Sequence, residues 1–99
     1  MIGRTSRMYV IIDALSGVRV TDLIPAQSDA LAVFGFRQFV DSEVEQHKRD
    51  RRSFQLLFVC ELDETGHISA PDVPQYMCDG STADELFERM QQEIFDKEF

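Results

Sequence analysis

Tryptophan is absent, and cysteine and proline are scarce, at two and three residues. Two cysteines, Cys60 and Cys78, are too few for the disulfide framework that holds small secreted domains together. Cys60 stands in an apolar run, where it behaves as a small hydrophobe; Cys78 is read in a loop. There is no Cys-x-x-Cys and no His-x-x-x-His pair, so nothing local seeds a zinc site, and no metal is expected. A glycine-rich phosphate loop and a nucleophile elbow are missing as well. No apolar run approaches the roughly 18 residues of a membrane span. The stretch Met1–Arg7 carries no apolar core behind its arginines, so no secretory signal is expected. These absences point to a non-enzymatic protein with no cofactor, no membrane association and a reducing cytoplasm around it.

What remains is apolar and acidic. Hydrophobic residues make up 43% of 99, with 8 phenylalanines, which suits one compact core and argues against disorder. The formal charge is −8, so nucleic acid is repelled on average. The charge is uneven: residues 1–52 hold 8 Lys/Arg against 7 Asp/Glu, and residues 53–99 hold 2 against 11. That leaves a basic face within reach of the first half.

The stretch Ser53–Ala70 reads as the organising hairpin. Its apolar run, Phe54–Val59, leads to the turn Asp63-Glu64-Thr65-Gly66 and a short return. Before it, residues 1–7 are expected to be a flexible leader and residues 8–99 a single domain. Met8–Leu15 reads as a strand, Ser16-Gly17 as its turn, and Val18–Ile24 as a second strand that Pro25 ends. Ser28 or Asp29 caps a helix expected to run to about Val44. Its apolar residues Ala30, Val33, Phe34, Phe36, Phe39 and Val40 are too widely spread for one stripe, so cover on two sides is expected. Gly35, inside that helix, reads as a close backbone approach. Ala70–Gly80 reads as irregular, broken by Pro71 and Pro74. A last helix is expected from Thr82, opened by the capping box Thr82-Ala83-Asp84-Glu85. The order is β-β-α-β-β-α, an α+β fold with helices packed on an antiparallel or mixed four-stranded sheet.

No catalytic residues emerge. A Cys60–His67 pair across the hairpin is conceivable, but a strand cysteine is expected to be buried and inert. Two binding features stand out instead. The connector Lys48, Arg49, Arg51 and Arg52, set against Asp50, has a local charge of +3 that Arg4 and Arg7 could extend. Such clusters bind the phosphates of single-stranded DNA, and Tyr9 and Phe54 are the aromatics that could stack on bases. The same cations would equally complement a helix C-terminus. The second feature is the surplus of phenylalanine, which points to a homodimer with Phe36, Phe39, Phe95 and Phe99 as partner contacts.

Three stretches resemble the small nonstructural proteins of gokushoviruses, single-stranded DNA phages of the Microviridae. They are Met8–Ala14 with its Asp13-Ala14 step; Ala26-Gln27-Ser28-Asp29-Ala30-Leu31-Ala32 running into Phe36-Arg37-Gln38-Phe39-Val40; and Ser53–Ile68, from Phe54-Gln55-Leu56 to Glu61-Leu62-Asp63-Glu64-Thr65-Gly66. Together they span about residues 8–71. Where the family tends to have a Pro-Phe step before the helix, this chain has Leu23-Ile24-Pro25, and Asp50-Arg51-Arg52 replaces a His-Pro step. The shared motifs are turn, cap and core patterns, so no functional residue is carried over. The resemblance implies a phage nonstructural accessory protein in the bacterial host cytoplasm. It would contact replication or packaging proteins during viral single-stranded DNA replication. Direct DNA binding, or acidic mimicry that inhibits a host DNA-binding protein, are the alternatives.

Overall fold

A computed structural model describes residues 5–98, with side chains as far as Gln92. Two long strands form its centre. β1 (Ser6–Asp13) runs antiparallel to β3 (Phe54–Leu62) along its whole length. β2 (Ile24–Ala26) borders β1 on one side. On the far side of β3, β4 (Ile68–Ser69) and β5 (Gln75–Asp79) follow one another, both antiparallel to it. Every pairing is antiparallel, so of the two expected sheet types the mixed one drops out. With α1 (Asp29–His47) and α2 (Ala83–Glu98), the class is α+β and the order is the expected β-β-α-β-β-α with one further strand, β5, ahead of the last helix, so the sheet has five strands.

The two hairpin turns are built alike, each from an aspartate and a glycine. Asp13 Oδ1 accepts the amides of Leu15 and Ser16 at 2.8 and 3.3 Å, and Gly17 takes φ +71°. Asp63 Oδ1 accepts the amides of Thr65 and His67, both at 2.9 Å, and Gly66 takes φ +91°. The short Asp side chain imitates a backbone acceptor, and glycine adopts the left-handed conformation without a Cβ penalty.

Several boundaries differ from expectation. β1 begins at Ser6, which takes Ser6 and Arg7 out of the expected leader. The second strand is displaced: Arg19 pairs with Ile12, but the ladder resumes only at Ile24 opposite Tyr9. Three steps along β1 thus face five along its partner. The excess bulges out around Thr21, whose Oγ1 accepts the Ile11 amide at 3.0 Å where a backbone carbonyl would stand. Pro25 lies within this strand rather than after it, opposite Met8 on an edge where its missing N–H costs no ladder bond. Gln75–Asp79, read as irregular, is a strand, because Pro71 and Pro74 break only the segment before it.

α1 is capped by Ser28, whose Oγ accepts the Leu31 amide at 3.2 Å, and it runs three residues past Val44. Lys48 ends it in the left-handed conformation, φ 56°. At α2 the expected capping box does not form. The Thr82 hydroxyl accepts the Asp79 amide instead, and Asp79 Oδ1 accepts the amides of Ser81 and Thr82.

The core is Tyr9, Ile11, Phe54, Leu56, Phe58 and Cys78 from the sheet, closed by Ala32, Val33, Phe36 and Val40 of α1 and Ala83 of α2. Tyr9 and Ile11 of β1 and Phe54, Leu56 and Phe58 of β3 lie on one face of the pleated sheet; a bulge at Val59 turns Cys60 and Leu62 to the other face. Both helices therefore pack on that face. Cover on two sides of α1 is observed: Phe34 meets the Phe87 ring at 5.6 Å, and Arg37 Nε reaches Asp84 at 2.5 Å. The close backbone approach is found at Gly80, not Gly35. A Cβ at Gly80 would sit 2.0 Å from the Arg51 carbonyl oxygen, whereas one at Gly35 would meet nothing within 4 Å.

Candidate functional site

The basic connector is built into the protein's own electrostatics. Arg49 reaches Asp13 at 3.1 Å and lies over the Phe54 ring at 5.2 Å. Arg51 pairs with Asp41 at 2.7 Å and donates through Nε to the Gly80 carbonyl at 3.2 Å. Arg52 pairs with Asp50 at 3.0 Å. The Lys48 ammonium donates to the Glu45 carbonyl at 3.3 Å, so it serves the helix end. Each paired carboxylate offsets the positive charge that a phosphate would otherwise meet.

Arg7 is committed in the same way. Its Nε donates to Asp29 Oδ1 at 2.8 Å and to the Tyr9 hydroxyl at 3.1 Å, and its guanidinium lies 4.1 Å from the Phe58 ring centre. The Tyr9 hydroxyl donates to the same Asp29 oxygen. Burial, and then the bond to Asp29, pushes the Tyr9 phenol up to about 12. This triad ties β1 to the first turn of α1. Tyr9 and Phe54 are both core residues, which removes them as stacking platforms for bases. Arg4 lies outside the described residues.

Of the four phenylalanines expected at a partner surface, Phe36 is only 2% exposed, and it closes the core beneath α1. Phe39 packs edge-on to Phe54 at 5.3 Å. Both face inward because the sheet lies under that side of the helix: Phe36 offers no surface, and Phe39 is left half-buried. Phe99 and the side chain of Phe95 lie outside the described residues.

The remaining reactive groups are dispersed. Burial pushes the Cys78 thiol up to about 12, which holds it protonated and not nucleophilic. His47 Nδ1 is 2.9 Å from Glu43 on the solvent side of α1. His67 sits exposed beyond the second turn. Among the described residues no three of His, Cys, Asp and Glu come together as a metal site.

The feature that sequence reasoning missed is the other face of the sheet. Val10 stands opposite Leu57, and Leu57 opposite Tyr76, so the three form a row. Met8 with Cys60 forms a second row, and Ser6, Leu62 and Ile68 a third. Val10 is buried, yet it stands outside the helix-covered core cluster. Tyr76 is 53% exposed and Ile68 62%. Among the described residues no helix covers this face, since both pack on its opposite. A fourth row closes one end: Ile12, Gln55 and Asp79 lie side by side across β1, β3 and β5, and Arg19 joins them through an isolated bridge to Ile12. The signal was present in Met8, Val10 and Ile12 alternating with Tyr9 and Ile11. A strand apolar at both parities is one with both faces to bury. No protein-family model, no curated protein and no solved structure matches the chain.

Proposed function

We propose that this chain is a non-enzymatic binding module that pairs with a second copy through its open sheet face. The observation carrying this reading is the set of apolar rows formed by Met8, Val10, Leu57, Cys60, Leu62 and Tyr76, over which no helix packs among the described residues; Tyr76 is exposed, Met8, Leu57, Cys60 and Leu62 are half-buried, and Val10 is buried. Large contiguous apolar patches on soluble proteins mark interaction sites.

A second copy fits this face in apolar character. A two-fold axis running along the strands, between β1 and β3, sets each row over its own reversal. Val10 of one copy then opposes the other copy's Leu57. Two sheets stacked about 10 Å apart, with aligned strands, form a sandwich of a common kind. β1 and β3 have 8 and 9 residues and β2, β4 and β5 only 3, 2 and 5, so the strands cover roughly 440 Å² in plan, below the ~800 Å² per partner of a standard interface.

The resemblance over residues 8–71 supports a setting for such a dimer. It would be a phage nonstructural accessory protein in the bacterial host cytoplasm, contacting replication or packaging proteins during single-stranded DNA replication. The paired state of Arg7, Arg49, Arg51 and Arg52 ranks direct DNA binding lower. Sedimentation of the wild-type chain at micromolar concentration tests the pairing: a dimer is expected, and a monomer with the Leu57→Lys variant. A wild-type chain that stays monomeric at 100-fold higher concentration contradicts it.

A further inference from the structure

A second apolar opening lies on the helix side of the sheet, between α1 and the segment Thr21–Gln27. It is a cleft of about 460 Å³, walled by Ile11, Ile24, Ala32, Phe36 and Leu56 and open past Leu31 and Gly35. That volume falls within the range of small-molecule sites, which are mostly apolar with a few placed polar groups. None of its thirteen lining residues is charged, in a chain where 28% are. Its polar groups are the Tyr9 phenol, the Gln27 amide and the Thr21 hydroxyl. The Tyr9 phenol is already bound to Asp29. Thr21 Oγ1 accepts the Ile11 amide and keeps its own proton to donate.

Gly35 is the observation that points to an occupant. It sits in the seventh position of a nineteen-residue helix, where glycine is unfavourable. Its φ is not positive, and a Cβ there would meet no atom of the protein within 4 Å. Neither backbone geometry nor internal packing requires glycine at this position. What the missing side chain does is leave bare helix backbone at the mouth of the cleft.

We infer that this cleft binds a small, uncharged, mainly apolar molecule, with at most a hydroxyl, carbonyl or ester oxygen to meet the Thr21 proton. Charged ligands are disfavoured because no opposite charge lines the walls to offset their desolvation. A long acyl chain with an ionised head would leave the head outside. The site is separate from the open sheet face, so its test is independent of dimerisation.

The uncharged fluorophore N-phenyl-1-naphthylamine is the probe, titrated into the full chain. The expected result is saturable enhancement at one probe per chain, retained in Leu57→Lys and weakened at least tenfold in Gly35→Leu, whose side chain fills the mouth. Gly35→Ala is expected to weaken binding less while raising the thermal midpoint. Amide shift mapping on the wild-type chain provides a check that needs no mutant: perturbations should concentrate at Ile24–Gln27 and Leu31–Phe36. Absence of saturable binding, unchanged binding in a folded Gly35→Leu, or perturbations centred on β5 would overturn the inference. So would a Gly35→Leu chain whose sedimentation changes while probe binding does not, since the cleft would then seat a second copy.

Discussion

Leu56 and Leu57 are neighbours in β3, yet they lie on opposite sides of the sheet in different surroundings. Leu56 is sealed among Ile11, Phe54 and Cys78 beneath α1, whereas Leu57 stands half-buried beside Val10 and Tyr76 with no helix over it among the described residues. One face of the sheet is a finished core, and the other has the composition of a core without a covering layer. A sheet with one face to water alternates apolar and polar residues along each strand. In β1 this alternation is lost from Met8 to Ile12, so the sequence is written for a sheet covered twice, while among the described residues helices pack on one side only.

This contrast makes unequal predictions for changes on the two faces. Leu56→Ala should cost about 2–5 kcal/mol of stability, through lost transfer energy and the cavity left behind, as measured by urea unfolding. A result under 1 kcal/mol would show that the helix-covered face is not the core. Gly80→Ala, where β5 turns into α2, should cost about 1–3 kcal/mol, because the new Cβ drives into the Arg51 carbonyl and the turn must move. Ser28→Ala should cost about 1 kcal/mol by removing the α1 cap. Leu57→Lys should change the stability of the isolated monomer by only about 0.5 kcal/mol while abolishing association, because a charge on a face open in the monomer stays solvated. A large loss of monomer stability would show that the two faces are not so different.

A further effect is in pH. The Tyr9 phenol is pushed up from 10.0 to about 12 in the folded chain. Its contribution is complete below pH 10 and disappears as pH rises through about 12, because the unfolded chain gives up the proton first. Stability should fall across that window, and Tyr9→Phe should flatten the fall. Some slope should remain, because the Cys78 thiol is raised in the same direction.

Much of the fold was legible in the sequence. The turns at Gly17 and Gly66, the Ser28 cap and the apolar run of β3 declare themselves through local chemistry, and the structure places each where that chemistry requires. What was not legible depends on contacts distant in sequence. Arg49 and Arg51 read as free cations because their carboxylates, Asp13 and Asp41, are 36 and 10 residues away. Asp79 was not recognised as the residue ordering the start of α2, since Thr82 and Glu85 already made a plausible local box. Phe36 and Phe39 were assigned outward because a helix with a broad apolar surface does not say which side meets the sheet.

The pairing of open sheet faces can be observed directly by isotope-filtered NOE spectroscopy on a mixture of labelled and unlabelled chains. Intermolecular contacts are predicted between the Val10 methyls of one copy and the Leu57 methyls of the other, with a weaker set joining Met8 to Cys60. Intermolecular contacts that arise from the helix layer, or none at all at concentrations where the chain sediments as a dimer, would contradict the account.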